Sequence, residues 1–365
     1  MNIDFIEALE EIEKEKGIDK DTLIDAIEAA LISSYKRNFN TAQNVRVDIN
    51  RTTGIIKVFA RKTVVEEVLD PRMEITLDAA RSINPNYYFG DIVEIEVTPR
   101  DFGRIAAQTA KQVVTQRIRE AERGLIYNEY VDKEEDIITG IVQRSDQRNY
   151  YVDLGKVEAV LPMNEVMPTE QFKHGDRIKT YITKVENTTK GPQIMLSRTH
   201  PGLLKRLFEL EVPEIYDGLV EIRSVAREAG FRSKIAVYSN DPEVDPVGSC
   251  VGPKGMRVQT IVTELKGEKI DIVRYSDDVK AYVANALSPS KVIDVEVFEE
   301  EKMCRVIVPD YQLSLAIGIK GQNARLAAKL TGWKIDIKSE SQAEEEFGRS
   351  DDASEEMPQD SISID

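Results

Sequence analysis

The sequence contains very few of the residues that build disulfide scaffolds and metal centres. Of its 365 residues, only Cys250 and Cys304 are cysteines and only His174 and His200 are histidines. Two distant cysteines exclude a disulfide scaffold and a four-cysteine zinc site, and they favour a reducing compartment. Two histidines exclude a histidine-rich metal centre. We therefore expect a cytoplasmic protein without a bound metal.

Long apolar runs are also missing from the chain. No stretch approaches the roughly 20 residues that a membrane span needs, and the N-terminus is acidic where a secretory signal would be basic. Apolar residues still make up 41% of the chain, which is enough for packed cores and excludes wholesale disorder. The length predicts roughly two to four domains, and we expect no membrane partner.

The net charge of −16 would by itself argue against nucleic acid, because phosphates attract Lys and Arg. However, residues 1–30 carry −7 and residues 340–365 carry −9, which leaves residues 31–339 formally neutral. Within that middle region, residues 251–339 hold 14 basic and 12 acidic side chains. The acid is thus confined to the two ends, and basic patches can form between them.

The N-terminal third combines helices with strands. Helical spacing of apolar residues predicts two helices within residues 1–38, separated at Gly17, with Asp19 or Asp21 capping the second. Alternation predicts strands at residues 45–49, 55–61 and 92–97. A long amphipathic helix is predicted over residues 100–122. Its polar side carries more bases than acids, although such a face is usually only a solvated surface.

Residues 135–200 have the pattern of a small all-β barrel. Five short strands are predicted there, at residues 137–143, 150–154, 159–161, 177–185 and 193–197. Rings on a barrel face can stack nucleobases, and the candidates are Tyr151 and Phe172, with Tyr150 and His174 beside them. The alternative is that these rings fill the core or an edge.

An internal repeat dominates the last part of the chain. The segment CVGPKGMRVQTIVTELKGEKIDIV, at residues 250–273, returns as AIGIKGQNARLAAKLTGWKIDIK at residues 316–338. Both copies contain GxKG, a helix-like stretch and Leu-x-Gly-x-Lys-Ile-Asp-Ile. Two predicted strands and a short helix precede each copy, so each repeat is expected to be α-β-β-α-α-β with GxxG between its last two helices.

The GxxG segments have the chemistry of an anion-binding loop. Glycine lets the backbone approach a ligand closely, and the N-terminus of the helix that follows favours negative charge. A lysine in each loop and an arginine on the next helix add positive charge, which suits binding of a single-stranded sugar-phosphate chain. The alternative is a plain turn between two helices, which would not require this charge. The candidate RNA-binding residues are Gly252, Pro253, Lys254, Gly255 and Arg257 in the first copy, and Gly318, Ile319, Lys320, Gly321 and Arg325 in the second.

Motifs of catalysis and nucleotide binding are absent from the sequence. It has no GxxxxGK[ST], no GxGxxG, no HExxH, no CxxC and no GxSxG. We therefore expect a protein that is not an enzyme and that needs no cofactor.

With these motifs in place, the chain resembles the NusA family of bacterial transcription termination and antitermination factors. The repeated GxxG units look like type II KH domains, and ITGIV, YYVDLG, AVLP, HGDRIKTYI and MLSR follow the order of an S1-type OB-fold. TPRDFGRIAAQTAKQVVTQRIREAE and PDYQLSLAIGIKGQNARLAAKLTGWKIDI are similar to the family as well. The resemblance extends over residues 1–340.

The resemblance implies an α+β multidomain protein. It predicts an α/β N-terminal polymerase-binding domain, an S1-type OB-fold β-barrel and two tandem type II KH domains, and the composition adds a disordered acidic tail. The corresponding residues are 1–130, 131–200, 201–275, 276–340 and 341–365. Two features differ from the pattern of some relatives. Pro162 stands where many S1 domains have a histidine, and an acidic tail stands after the second KH domain where some relatives have acidic repeat domains.

The resemblance also implies function. It predicts a transcription elongation factor that binds RNA polymerase through the N-terminal domain and holds nascent single-stranded RNA on the S1 and KH domains. Such a factor modulates pausing, intrinsic termination and antitermination. Other antitermination factors of the Nus type are implied partners, and we expect a monomer. The polymerase-facing candidates are Arg100, Arg104 and Lys111.

Two other classes of protein compete with this interpretation. Polynucleotide phosphorylase also carries KH and S1 modules, but it places them in that order after a large catalytic core, whereas here the S1-like barrel comes first. A ribosome-associated KH protein would be recovered with ribosomes and not with polymerase. A KH-bearing GTPase is excluded because the P-loop is missing.

Overall fold

The computed structural model describes residues 3–39 and 44–345, and the chain divides into two compact units. The first unit runs as far as residue 128 and also includes residues 189–192, and the second contains the remaining residues. Three helices pack against one sheet in the first unit. The second unit contains a closed barrel and two three-stranded sheets.

The first unit begins with the predicted helix pair, α1 (Ile3–Lys16) and α2 (Lys20–Asn38). Gly17 ends α1 with a φ of 68°, in the left-handed region that glycine adopts readily. Asp19 caps α2, because its carboxylate accepts a 2.8 Å hydrogen bond from the Thr22 amide, which has no carbonyl partner in the helix. Both helices and the break between them are confirmed.

A four-stranded sheet forms the other layer of the first unit. Its strands are β1 (Val45–Ile49), β2 (Ile56–Val65), β3 (Glu74–Thr76) and β4 (Ile92–Glu96). The central strand β2 is antiparallel to β1 and β4 and parallel to β3. Val45, Val47 and Ile49 are buried against the helices because alternate side chains of a strand share a face. The three predicted strands are confirmed.

Two short elements of the first unit escaped prediction from the sequence. Strand β3 has three residues, which are too few for an alternating pattern to be recognised. Helix α3 (Leu77–Ile83) follows it directly and is capped by Thr76, whose hydroxyl accepts from the Ala79 amide at 3.3 Å. Together with the end of β2 they enclose a small separate core around Val64 and Val93.

The long predicted helix has different ends from those expected. Helix α4 spans Phe102–Val131, whereas the sequence predicted residues 100–122. It begins later because the Phe102 amide donates to the Pro99 carbonyl in a tight turn at 3.1 Å, so Arg100 precedes the helix. It continues because no proline follows Glu122, and Gly124 alone costs only about 1 kcal/mol in a helix.

The predicted five-stranded barrel opens the second unit and is confirmed. Its strands close in the order β5-β6-β7-β9-β8. They are β5 (Ile137–Ser145), β6 (Asn149–Asp153), β7 (Glu158–Pro162), β8 (Arg177–Thr188) and β9 (Gly191–Ser197). Gly140 permits the close approach of two strands, since a Cβ there would lie 2.4 Å from Val152 Cγ1.

The two repeats have the predicted order α-β-β-α-α-β, and the first has one additional short helix before its strands. The first repeat contains α5 (Pro201–Glu211), the short helix α6 (Pro213–Tyr216), β10 (Val220–Glu228), β11 (Arg232–Ser239), α7 (Pro246–Val251), α8 (Met256–Glu264) and β12 (Lys269–Arg274). The second repeat contains α9 (Val279–Ala286), β13 (Asp294–Phe298), β14 (Met303–Val308), α10 (Leu313–Ile317), α11 (Gln322–Thr331) and β15 (Lys334–Ser339). In both sheets the middle strand is antiparallel to the strand before it and parallel to the last one.

The two repeats share a hydrophobic core. On β11, Ile235 and Val237 face one buried cluster, which contains residues of α5 and α8. Ala236 faces the opposite cluster, where Val283 of α9 and Leu326 of α11 also lie. The sheet of the first repeat is therefore covered on both faces, and the second repeat supplies one of the covers.

Two buried arginines, Arg198 and Arg227, link the barrel segment to the first repeat. Arg198, which follows β9 and is 1% exposed, pairs with the buried Glu170 and, at 3.1 Å, with Glu264 of α8. Arg227 of β10 pairs with Glu268 of the same repeat at 2.9 Å, and both side chains are fully buried. Its guanidinium also donates to the His200 carbonyl, at the end of the barrel segment, at 2.9 Å. Because an unpaired buried charge costs several kcal/mol, separating Arg198 from Glu264 would be costly, and this pair keeps the barrel docked against the first repeat.

The segment after β15 corrects one expectation. We predicted a disordered acidic tail from residue 341, but residues 340–345 are helical. The Ser341 hydroxyl donates to Asp310 at 2.6 Å, and Ala343 is 5% exposed, so this turn packs on the second repeat. The rest of the predicted tail, residues 346–365, lies outside the described residues.

Candidate nucleic-acid interface

The first GxxG segment, residues 252–255, is a tight turn between α7 and α8 and is termed the first loop. Gly252 has φ 73° and ψ 174°, and Gly255 has φ 76° and ψ 13°. Lys254 also lies in the left-handed region, with φ 53° and ψ 24°. The Gly255 amide closes the turn by donating to the Gly252 carbonyl at 3.1 Å.

The second loop, residues 318–321 between α10 and α11, has the same backbone. Gly318 has φ 76° and ψ 172°, Lys320 has φ 53° and ψ 30°, and Gly321 has φ 74° and ψ 17°. A left-handed conformation costs a residue other than glycine roughly 1–2 kcal/mol. Strain of this kind concentrates at functional sites, and here it occurs at the same lysine in both copies.

The two glycines of each loop have different structural roles. A Cβ on Gly252 would lie 2.6 Å from Arg257 Cγ, and one on Gly318 would lie 2.8 Å from the Asn323 amide nitrogen, so the first glycine is needed for packing. A Cβ on Gly255 would meet nothing within 4 Å, and one on Gly321 would lie 3.7 Å from Arg325. The last glycine therefore leaves open space in front of the backbone.

Both loops present charge and an open helix end to solvent. The central residues Pro253 and Lys254, like Ile319 and Lys320, are exposed. Helices α8 and α11 begin directly after the loops, and the first amides of a helix have no carbonyl partner within it. Exposed amides, a positive helix end and a lysine together favour binding of an anion such as a phosphodiester.

The two predicted arginines are held in different ways. Arg257 donates to the Ser249 carbonyl at 2.6 Å and to Glu214 of α6 at 2.9 Å, so its guanidinium is engaged within the first repeat. Arg325 is half exposed and donates to the Lys320 carbonyl at 2.9 Å. Its Nε donates at 2.8 Å to Glu228, which belongs to β10 of the first repeat.

A cleft at the junction of the barrel and the first repeat brings two predicted sites together. Its volume is about 980 Å³. The barrel contributes Phe172, Arg177 and Lys179 to the lining, and the first repeat contributes Lys254 and Lys266. The ring predicted on the barrel and the lysine predicted in the first loop thus line one concave surface, a common location for ligand sites.

The barrel rings separate into core and surface residues. Tyr150 is 9% exposed and packs edge-on against Phe172, with ring centroids 5.5 Å apart, so for this ring the alternative of a core position holds. Tyr151 is half-buried, and the Arg144 guanidinium lies 3.5 Å from its ring centroid. Its hydroxyl donates to Asp146 at 2.9 Å. Phe172 remains partly exposed in the cleft.

The predicted polymerase-facing bases lie on the first unit. Arg104 and Lys111 are exposed on α4, and Arg100 is exposed in the turn before it. Within residues 3–39 and 44–345, no carboxylate lies within 4 Å of these three side chains, whereas Arg117 on the same helix pairs with Glu120 at 3.1 Å. The three bases are therefore available to an acidic partner surface.

The described part of the chain shows neither a cluster of metal ligands nor a helix that could span a membrane. No group of three or more His, Cys, Asp or Glu side chains there could hold a metal ion. None of the described helices is long and apolar enough to cross a membrane.

A barrel followed by two packed repeats with exposed GxxG loops defines a modular nucleic-acid-binding protein of the S1 and KH classes. Family models match in series: the NusA N-terminal domain (4–124), the S1 RNA binding domain (131–197), and the NusA-like first (198–275) and second (279–345) KH domains. The chain belongs to the NusA family, as its curated relatives also show.

Three of these relatives carry the name transcription termination/antitermination protein NusA. The protein of Halalkalibacterium halodurans is 76% identical over 94% of this chain and 90% of its own length. That of Bacillus subtilis is 73% identical over 94% and 93% of the two chains. That of Thermus thermophilus is 44% identical over 92% and 89%.

Sequence reasoning missed the acidic partners of this interface. Glu214 and Glu228 hold the two arginines, and Glu170 and Glu264 hold Arg198. These carboxylates lie between 28 and 97 positions from their partners. No local pattern connects residues so far apart, and only the tertiary structure identifies them.

Proposed function

We propose that this chain binds RNA polymerase and nascent single-stranded RNA and thereby modulates pausing, intrinsic termination and antitermination. The names of its relatives support a role in termination and antitermination. The observation that carries the RNA part is the pair of loops with matching backbone and exposed lysines in one packed body. Because the two loops are joined, binding at one raises the effective RNA concentration at the other.

On the RNA side, each loop holds the sugar-phosphate chain through backbone amides and a lysine, Lys254 or Lys320. Arg325 adds free guanidinium donors beside the second loop. Arg257 acts by shaping the first loop, since its own donors are engaged by Glu214 and Ser249. Phe172, lining the same cleft as Lys254, and Tyr151 on the barrel stack bases of the same strand.

On the polymerase side, the proposal assigns residues 1–130, with Arg100, Arg104 and Lys111 as the contacting bases. Residues 131–200 form the S1-type barrel, and residues 201–275 and 276–340 form the two KH domains. The protein acts as a cytoplasmic monomer without catalysis or a cofactor, and other Nus-type factors join it on the polymerase. The unpaired state of the three bases supports this assignment, since each can pair with an acidic surface.

A paused-elongation assay with the full chain tests both parts of the proposal. We expect the wild-type protein to change pause duration and to co-elute with core polymerase. Arg104→Glu with Lys111→Glu should abolish co-elution but leave RNA binding intact, because these bases belong to the first unit and both loops belong to the second. Arg72→Glu, a charge reversal at another exposed base of the first unit, is the matched control and should behave as wild type.

The possible results of this assay test polymerase binding and RNA binding separately. A wild-type chain that neither alters pausing nor co-elutes with polymerase would contradict the proposal. Recovery with ribosomes in place of polymerase would favour the competing ribosomal role. Retained co-elution in the Arg104→Glu, Lys111→Glu protein would remove α4 from the polymerase interface but leave RNA binding in place.

A further inference from the structure

Glu228 lies at the end of β10, in the first repeat, yet it contacts the start of α11 in the second. One carboxylate oxygen accepts a hydrogen bond from Arg325 Nε at 2.8 Å, and the other accepts from Gln322 Nε2 at 2.9 Å. Its side chain is 21% exposed. Gln322 directly follows Gly321, so Glu228 binds the first residue after the second loop.

Arg325 extends this contact into the loop itself. While its Nε is bound by Glu228, the same guanidinium donates to the Lys320 carbonyl at 2.9 Å. Lys320 is the loop residue in the left-handed conformation. A carboxylate of the first repeat, an arginine of the second and the strained carbonyl of the loop therefore form one connected chain of charge-assisted hydrogen bonds.

Docking of the two repeats does not depend on Glu228. The shared core of apolar side chains, including Ala236 and Val283, holds them together. The Ser224 hydroxyl also donates to the Leu330 carbonyl at 2.8 Å, and Lys234 donates to the Ser288 carbonyl at 2.8 Å. Loss of Glu228 should thus change the second loop without separating the repeats.

We propose that Glu228 is a positioning residue that lets the first repeat set the RNA affinity of the second loop. This inference rests on the proposed RNA-binding function of that loop. Glu228 orients Arg325 so that the guanidinium both supports Lys320 and directs its remaining donors toward a phosphate. Ordering these groups before RNA arrives lowers the entropy lost on binding.

A purely electrostatic view predicts the opposite sign. Removing an acidic side chain beside a phosphate-binding loop should strengthen RNA binding, because the local charge becomes more positive. If Glu228 acts by positioning, removing it should weaken RNA binding in spite of that change. The direction of the effect therefore distinguishes the two roles.

The test measures binding of an unstructured, mixed-sequence single-stranded RNA oligonucleotide to the full chain at several salt concentrations. We expect Glu228→Ala to weaken affinity about fivefold, a loss similar to the net contribution of one ordinary hydrogen bond. Glu228→Gln keeps one acceptor and should fall between Ala and wild type. Glu221→Ala removes the same charge from the other end of β10, where Glu221 pairs with Arg223, and should bind as wild type.

A double-mutant cycle locates the effect at the second loop. Glu228→Ala should add nothing in a Gly321→Asp background, where that loop is already disabled, but should have its full effect with Gly255→Asp. The melting temperature of Glu228→Ala should stay near that of the wild type because the shared core is unchanged.

Each outcome decides the inference. Unchanged or tighter RNA binding by Glu228→Ala, or equal losses in the two glycine backgrounds, would overturn it. So would a loss that Glu221→Ala reproduces. A wild-type chain that fails to bind the oligonucleotide would instead contradict the proposed function itself, and this result is distinguishable because it requires no variant.

Discussion

The first and second loops share a backbone but differ in what supports them. Corresponding dihedral angles agree within 6°. The first loop is supported from its own repeat, through Arg257 and Glu214, and the second is supported from the neighbouring repeat, through Arg325 and Glu228. The glycine pattern therefore determines the shape of such a loop, while the surrounding fold determines what holds it in place.

The largest effect should come from disabling both loops together. Gly255→Asp with Gly321→Asp should lower RNA affinity at least tenfold, because each adds a negative charge where a phosphate would lie. Asp tolerates the left-handed region, and the space at both positions is open, so the fold should survive. Titration of labelled RNA at fixed salt measures the effect.

The matched control for that variant is Gly255→Asn with Gly321→Asn. Asn has nearly the same shape and also tolerates positive φ, but it is neutral. Equal losses in the two double variants would show that bulk matters and charge does not. Unchanged affinity in the Asp variant would remove both loops from the RNA interface.

Within one loop, the two glycines should differ in stability. Gly252→Ala should lower the free energy of unfolding by about 1–3 kcal/mol more than Gly255→Ala. Both adopt positive φ, but only at Gly252 does the new Cβ collide with Arg257. Chemical denaturation measures the difference. Equal losses would mean that Arg257 moves aside without cost.

Replacing the two arginines should have different effects: one variant should lose mainly stability, and the other should lose mainly RNA affinity. Arg257→Ala should destabilise the fold by about 1–2 kcal/mol, because it removes a paired group and packing on Gly252. Arg325→Ala should mainly weaken RNA binding, because its side chain is half exposed beside the second loop. Thermal melting and RNA titration on the same samples measure the two effects. If both variants lost stability and RNA affinity to the same extent, this distinction would be contradicted.

The smallest effect concerns pH. The hydrogen bond from Arg325 holds the pKa of Glu228 below its ordinary value. The ionised pair therefore stabilises the fold above the unfolded-state pKa of about 4.3 and is lost as pH falls through the lower folded value.

The wild type should exceed Glu228→Gln in the free energy of unfolding by less than about 1 kcal/mol, since the pair is partly exposed. This excess should be constant from about pH 8 to about pH 5 and should shrink only at lower pH. An excess that disappears already near neutral pH would contradict the assignment of Glu228 as the ionised partner. Denaturation at constant ionic strength provides the measurement.

Much of the architecture could be predicted from local pattern. The repeated Leu-x-Gly-x-Lys-Ile-Asp-Ile and GxKG segments located both repeats, and alternation located the barrel strands. Strand β3 was missed because three residues are too few to show an alternating pattern. The continuation of α4 was missed because no helix-breaking residue marks where the helix ends. Tyr150 shows a further limit, since a ring in a strand has the same pattern whether it faces the core or solvent.

The candidate site was only half predictable. Glycines and bases are visible in sequence because the motif is local. Their carboxylate partners, such as Glu228 at 97 positions from Arg325, depend on how the repeats pack. The sequence could therefore not predict whether an arginine is already bound by a carboxylate or has donors left for RNA. That difference determines the role proposed for each arginine.

The sheet covered on both faces has a consequence for how the protein opens. Strand β11 is hydrogen-bonded on both edges and buried on both sides. Its amides can exchange with deuterium only when the layers on either side have separated, so they should be the slowest in this part of the chain. The two repeats would then melt in a single cooperative step, and a transcript held by one loop would be released from both at the same moment.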